Sequence, residues 1–398
     1  MTLFKIGLLI DGTKDKPREA CYLAVENDKF TGIGCAQDFA SEQLTAAVDY
    51  SQYTVMPGLI DPHVHLFLEG ISDMKQRAQR WKEDKDTTLL RAVTNLTRTI
   101  RQGVTTVRDL GGPFGINVFL KKAVNQGNAL GPRVLTARQA ISITGGHFHY
   151  AGGREADGAE EMTKAVREQA RGSADCIKLM MTGSVNFVRQ DAGIVELSLV
   201  EAKAAINEAR RLKKPVAVHA NGVDGVRQAL DTGITTLEHG ALIDEATQEY
   251  ITASGVYWIP TLVPFERMLD YGRNHQTKTL PAEGVERVYV RHQAMVARAY
   301  QAGTKIVAGT DAGALGVKHG DMWREIQLLT ECGMPTIAAL HAATGVAAEA
   351  IGMANEIGTI EIGKRADLVV LDGNPLMDLT NIRKIVKVYK AGKEVFHA

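Results

Sequence analysis

The stretch Gly58-Leu59-Ile60-Asp61-Pro62-His63-Val64-His65-Leu66 decides the fold class, because it runs a buried strand into a pair of metal-type ligands. Val55, Met56, Leu59 and Ile60 lead in as an apolar run, and two histidines follow two residues apart. Side chains alternate faces along a strand, so His63 and His65 share one face. Histidine is the commonest metal ligand, and two imidazoles on one face of a strand end can hold a single ion. An isolated His-x-His is also what one core histidine beside one surface histidine would look like. The pair therefore needs partners further along the chain.

Outward from this stretch, short apolar strands ending in Gly, His or Asp alternate with amphipathic helical segments. The strands are expected over 55–66, 104–110, 133–137, 176–181, 216–220, 235–238, 256–262 and 305–309. Between them the 3.6-residue period predicts helices over 89–102, 158–171, 199–212, 223–231 and 286–302. Several of these helices close on glycines such as Gly103, Gly172 and Gly303, as C-terminal caps do. A run of strand–helix units implies a parallel α/β architecture. Eight of them fit a (β/α)8 TIM barrel better than a doubly wound open sheet. The barrel is expected over residues 58–355, with Pro335 to Met353 forming two short helices at its end. Residues 1–57 and 356–398 carry short strand and turn signals, and neither end alone can bury two sheet faces. They are expected to meet as one small β-sandwich. The long connections Gly145 to Asp157 and Pro264 to Gly284 are expected as loops covering the site.

The bulk numbers narrow the function class. The chain has 398 residues, of which 45% are hydrophobic and 23% charged, an ordinary globular composition. Forty-six basic residues balance 46 acidic ones, so bulk charge points to neither a nucleic-acid nor a membrane partner. Cys21, Cys35, Cys176 and Cys332 form no Cys-x-x-Cys pair, which favours reduced thiols over a disulfide framework or a cysteine metal site. Lys5 and Asp11 interrupt the N-terminal apolar run, and no stretch approaches the roughly 18 apolar residues of a membrane span. The expectation is a cytoplasmic protein acting on a small molecule, with homo-oligomer formation left open.

In a barrel of this kind, functional side chains come from the C-terminal strand ends. Those ends carry His63 and His65 in the first unit, Lys178 in the fourth and His219 in the fifth. His239 closes the sixth, and Asp311 follows the eighth. Each closes an apolar run, as in Val216-Ala217-Val218-His219 and Thr236-Leu237-Glu238-His239. Any one of them alone is as well explained by a core or capping role. Six at one end of one barrel are hard to explain by packing, and nitrogen and oxygen donors suit zinc or a similar divalent ion. Lys178, between Ile177 and Leu179, would be buried, and a buried ammonium is costly unless paired or neutralised. Desolvation lowers its pKa, and a neutral amine can take up carbon dioxide as an anionic carbamate able to bridge two cations. An ion pair with an acid such as Asp175 is the equal alternative.

The order His-x-His, Lys, His, His, Asp resembles the amidohydrolase superfamily, in its binuclear type with a carboxylated lysine. Met56-Pro57-Gly58-Leu59-Ile60-Asp61 and Gly363-Lys364-Arg365-Ala366-Asp367-Leu368 extend the resemblance over nearly the whole chain. Gly145-Gly146-His147 and Gly309-Thr310-Asp311-Ala312-Gly313 place it near the branch of prolidases, Xaa-Arg dipeptidases and imidazolonepropionase-related proteins. The resemblance implies that His63, His65 and Asp311 hold one divalent ion, most simply Zn2+, and that His219 and His239 hold a second. It implies a CO2-derived carbamate on Lys178 and a hydroxide between the ions, with Asp311 as general acid and base in amide cleavage.

Substrate contacts are expected from His147, Asn221, Arg189 and His319. His147 matches a substrate-holding histidine of the dipeptidases. Those enzymes carry a tyrosine two residues after the fifth-unit histidine, where this chain has Asn221. The amide is a shorter donor than the phenol, which leaves room for another amide, cyclic amide, ester or phosphoester substrate. Arg189 suits bidentate pairing with a carboxylate, and an unpaired loop arginine is the plainer reading. His319, close after Asp311, is expected to line the pocket. Cyclic amide hydrolysis or deamination on one metal is the competing reaction class, and Lys178 speaks against it.

Overall fold

A computed structural model describes residues 1–13, 16–192, 194–275 and 277–398. The expected long first strand is divided at Gly58. Val48–Pro57 belongs to a sheet built by the two chain ends, and Leu59–Val64 begins the parallel strands. A Cβ at position 58 would collide with the Thr105 side chain, so glycine lets the two sheets meet closely here.

The terminal sheet has seven strands in the order Lys393–His397, Ile385–Lys390, Leu368–Leu371, Val48–Pro57, Thr2–Leu9, Arg18–Glu26 and Lys29–Gly34. The two ends meet, but as one hydrogen-bonded sheet where a two-sheet sandwich was expected. The reason is that Val48–Pro57 pairs on both edges, in parallel with Thr2–Leu9 and antiparallel with Leu368–Leu371. Phe4, Ile6, Leu23, Phe30, Val55 and Leu368 form its own buried cluster.

Leu59–Val64, Val104–Asp109 and Arg133–Thr136 form a three-stranded parallel sheet. A second parallel sheet has seven strands and includes Ile177–Met180, Val216–Ala220, Thr236–His239, Tyr257–Ile259 and Lys305–Ile306. The sheets are joined on one side by a bridge between Val64 and Ala312, and on the other by the Asp175 amide donating to the Thr136 carbonyl at 2.7 Å. This arrangement fits a barrel. The helices follow from the apolar period: Lys85–Arg101 buries Ala92, Leu96 and Ile100, and Gly158–Arg171 buries Met162, Ala165 and Val166. Asp84 caps the first by accepting from the Thr87 amide, and Ser198 with Glu201 makes a capping box for Leu199–Arg211.

Of the two long connections, one meets expectation and one does not. Gly145 to Asp157 is irregular apart from one short 3-10 turn and a two-residue strand, as anticipated. Pro264 to Gly284 is largely helical, because Leu262–His275 is one helix and Ala282–Gln301 another. Pro264 misled the reading, since a proline in the first helical turn loses an N–H that has no helical partner anyway. Among the described residues, no helix is long and apolar enough to cross a membrane.

Candidate metal centre

The polar strand ends converge on one cavity of about 580 Å³. His63, His65, Lys178, His219, His239 and Asp311 all line it. The Nε2 atoms of His63 and His65 lie 3.6 and 3.4 Å from Asp311 Oδ1, so three donor atoms surround one point. The His239 ring stands 4.9 Å from that of His63 and 4.6 Å from that of His219, centroid to centroid.

Each histidine has one ring nitrogen anchored and the other left over. His63 Nδ1 bonds Glu238 Oε2 at 2.8 Å, and His65 Nδ1 bonds the Gly111 carbonyl at 2.9 Å. His239 Nδ1 meets Thr261 Oγ1 at 2.7 Å, and His219 Nε2 meets the Gly183 carbonyl and Asn221 Nδ2, both at 3.3 Å. Carboxylate and carbonyl partners fix the proton on the bonded nitrogen, which leaves a lone pair on the other. Burial, first of all, drives His63, His219 and His239 well below the usual histidine range, and takes His65 down to about 3. Neutral imidazoles are what a metal requires.

Lys178 is buried, and its Nζ has no hydrogen-bond partner among the described residues. Desolvation lowers its pKa to about 8 against the opposing pull of Glu238 and Asp311. The Asp175 alternative fails on geometry, since Asp175 pairs with Lys121 at 2.5 Å. Asp311 is pushed up to about 7 by burial, with Lys178 and Arg77 pulling it back. His239 and Asp311 adopt φ of 68° and 53°, backbone that non-glycine residues rarely take and that concentrates at functional sites.

A buried ion network holds this floor. Arg108 donates to Glu238 Oε1 at 2.8 Å, to the Pro62 carbonyl at 2.7 Å and to Thr236 Oγ1 at 3.2 Å. Asp61 accepts from the Thr310 amide at 3.1 Å and hydroxyl at 2.5 Å, tying the first unit to the eighth. Reading strand ends alone passed over Arg108 and Glu238, which lie within strands. Their signal was a charge inside an otherwise apolar run.

The four expected substrate contacts fare differently. His147 lines the cavity, with its amide on Glu196 at 2.7 Å and its ring 4.5 Å from that of His219. Asn221 also lines it but is committed elsewhere: its Oδ1 accepts from the Ala241 amide at 2.9 Å and its Nδ2 faces His219. It acts on His219 rather than outward. Arg189 reaches the rim with a mostly exposed side chain, already paired with Asp191 at 2.6 Å. His319 is displaced from the expected role. It lies outside the cavity lining, where its Nε2 bonds the Leu68 carbonyl at 2.7 Å. Sequence reading missed the walls, which include Arg77, Trp81, Phe148, Tyr150 and Phe265.

The family model for the amidohydrolase family matches residues 54–395. The chain belongs to the amidohydrolase family. It is a hydrolase acting on carbon–nitrogen bonds. Among curated relatives of this amidohydrolase, ochratoxinase from Aspergillus niger is 28% identical, covering 99% of this chain and 86% of its own. A crystal structure of that enzyme superposes with a TM-score of 0.86 at 27% identity, over 99% of this chain and 95% of the other. A Xaa-Pro dipeptidase with methionine bound in its active site gives 0.89 at 28% identity, each chain covered in full. A prolidase complexed with N-methylphosphonate-L-proline gives 0.88 at 28%, again over both whole chains.

Proposed function

We propose that the chain is a (β/α)8 barrel over residues 58–355 carrying a binuclear metal centre that hydrolyses the amide bond of a small peptide-like or N-acyl amino acid substrate. The observation that carries this reading is the orphaned Lys178 Nζ amid four histidines with one ring nitrogen to spare and a carboxylate. A buried amine without a partner is expensive, and conversion to a carbamate supplies the anion that two cations need. The neutral Nζ adds to carbon dioxide, forming a C–N bond and releasing one proton. His63, His65 and Asp311 would hold one ion, and His219 and His239 the other, with modified Lys178 between them. When bound, two divalent ions, zinc by the donor set, lower the pKa of a water and polarise an amide carbonyl.

Asp311 takes the proton of the attacking water on its carboxylate and returns it to the nitrogen of the leaving amine as the C–N bond breaks. Glu238, itself held by Arg108, orients His63, and Thr261 orients His239, while burial first of all keeps both rings neutral. The half-buried His147, in its glycine-flanked loop, faces the reacting carbonyl. Similarity to a Xaa-Pro dipeptidase, a prolidase and an ochratoxinase supports the substrate class.

Metal analysis of the purified protein, with a Lys178→Ala variant beside it, tests the reading. Two ions per chain and an intact-mass gain of one carboxyl group on Lys178 are expected, with both lost in the variant. Fewer than one ion per chain, or a variant with unchanged metal and activity, would overturn it.

A further inference from the structure

Arg77 sits on the short helix Met74–Arg80 at the edge of the cavity, half-buried. Its Nη1 donates to the Gly313 carbonyl at 2.7 Å. Among the described residues, its guanidinium makes no other hydrogen bond and no ion pair. Its helix neighbour Arg80, by contrast, pairs with Glu69 at 3.0 Å and Glu83 at 2.7 Å. Of the other two cations lining the cavity, Arg189 is paired with Asp191, and Lys178 lies at the floor. A half-buried guanidinium with most of its five donors unspent is costly unless something anionic completes it. Its planar fork suits a carboxylate.

The surroundings say which carboxylate. Gly313, on which Arg77 is hung, is two residues beyond Asp311, so the guanidinium stands on the Asp311 side of the floor. It lies 5.7 Å from the Trp81 ring centroid, and Trp81 stacks on Tyr150 at 4.3 Å. The Tyr150 hydroxyl has no hydrogen-bond partner among the described residues. His147, its ring tilted against that of His219, marks the fifth-unit side, while Phe187 and Phe265, with ring centroids 6.3 Å apart, form an apolar wall near the helix that follows the seventh-unit strand. In an N-acyl α-amino acid, the carboxylate is two bonds from the amide nitrogen. A seat for it beside Asp311 brings that nitrogen to the group that must protonate it.

We propose that Arg77, with the Tyr150 hydroxyl, seats the free carboxylate of the amine-side half of the substrate. The enzyme then takes N-acyl α-amino acids whose free carboxylate is on the amine half. The assignment of halves rests on the amide-cleavage reading above, and the carboxylate seat is measured without catalysis.

The test uses the zinc-loaded full-length enzyme and two sulfonamides that resist hydrolysis, N-tosyl-L-phenylalanine and N-tosyl-L-phenylalaninol, with binding followed by calorimetry. Wild type should bind the acid about 10- to 100-fold more tightly than the alcohol, the scale of a charge-assisted pair. Arg77→Gln should erase that preference, leave the alcohol within about 3-fold, and retain full metal content, while Arg77→Lys restores part of the gap. Equal binding of acid and alcohol by wild type, or a proportional loss of both in Arg77→Gln, overturns the seat. Hydrolysis of N-benzoyl-L-phenylalanine is measured in parallel. A retained acid preference with no turnover of this or other N-acyl amino acids would keep the seat and overturn amide cleavage.

Discussion

At the floor of the cavity every candidate ligand histidine is held by a neighbour: His63 by Glu238, His65 by the Gly111 carbonyl, His239 by Thr261 and His219 by the Gly183 carbonyl. At the mouth, among the described residues, Arg77 has one hydrogen bond and buried Trp81 Nε1 has no partner, and the Tyr150 side chain is substantially exposed. Both regions line the same cavity. The floor stands on parallel strands whose backbone leaves its side chains little freedom, so donor atoms stay in place without a ligand. The mouth stands on a seven-residue helix and an irregular connection, where contacts await completion by a substrate. Chemistry is built in below, and choice is left open above.

Removing a support at the floor is the strongest way to break this contrast. Arg108→Met leaves Glu238 buried without its cation while Thr236 and His63 still face it. Breaking a buried pair from one side costs about 3–5 kcal/mol, read as a drop in the urea midpoint. A loss below about 1 kcal/mol would mean that the floor does not depend on this network.

Thr261→Val acts on a single ligand. His239 keeps its place in the chain but loses the partner of Nδ1, so its proton and ring orientation are no longer specified. Metal affinity should fall about 10- to 100-fold in a chelator competition, with little change in the unfolding midpoint. Unchanged affinity would show that backbone strain at His239, φ 68°, orients the ring by itself.

Trp81→Ala probes the mouth instead. It removes the ring that stacks on Tyr150 and lies beneath Arg77. KM should rise about 3- to 10-fold with kcat and metal content unchanged, since exposed stacking and cation–π contacts are individually modest. A fall in metal content would erase the division between the two regions.

The same division explains what was legible in the sequence. The strand ends were readable because parallel strands buried on both faces are nearly continuous apolar runs, so each terminal His, Lys or Asp stands out. The fourth strand, expected over 176–181, is observed as Ile177–Met180, and the helix expected over 158–171 is Gly158–Arg171. Arg108 and Glu238 stood in such runs too, but only folding brings them within 2.8 Å. The mouth has no comparable pattern. Nothing local links Arg77 to Gly313 or Trp81 to Tyr150, and Pro264 disguised a helix as a loop. The terminal segments showed strands but not partners, because a period of two residues does not say which edges pair.

The outer wall carries the contrast between buried and open polar groups to its weakest case. Glu208, on the helix Leu199–Arg211, accepts from Arg167 at 2.7 Å and from Arg211 at 2.6 and 2.9 Å. These hydrogen bonds lower its pKa to about 2. Its carboxylate is covered, but both arginines are more than half exposed, so water screens the pair. A depressed folded-state pKa stabilises above the unfolded value near 4.5, and that stability is lost as pH falls toward 2. Glu208→Gln should therefore cost under about 1 kcal/mol at pH 7, and the gap from wild type should shrink to about half or less by pH 3. Urea titrations of the two proteins at both values decide it. A gap that stays constant with pH would mean that Glu208 acts through hydrogen bonds a glutamine cannot make rather than through charge. A cost comparable to that of Arg108→Met would mean that the two arginines are shielded from water as the pair at the floor is.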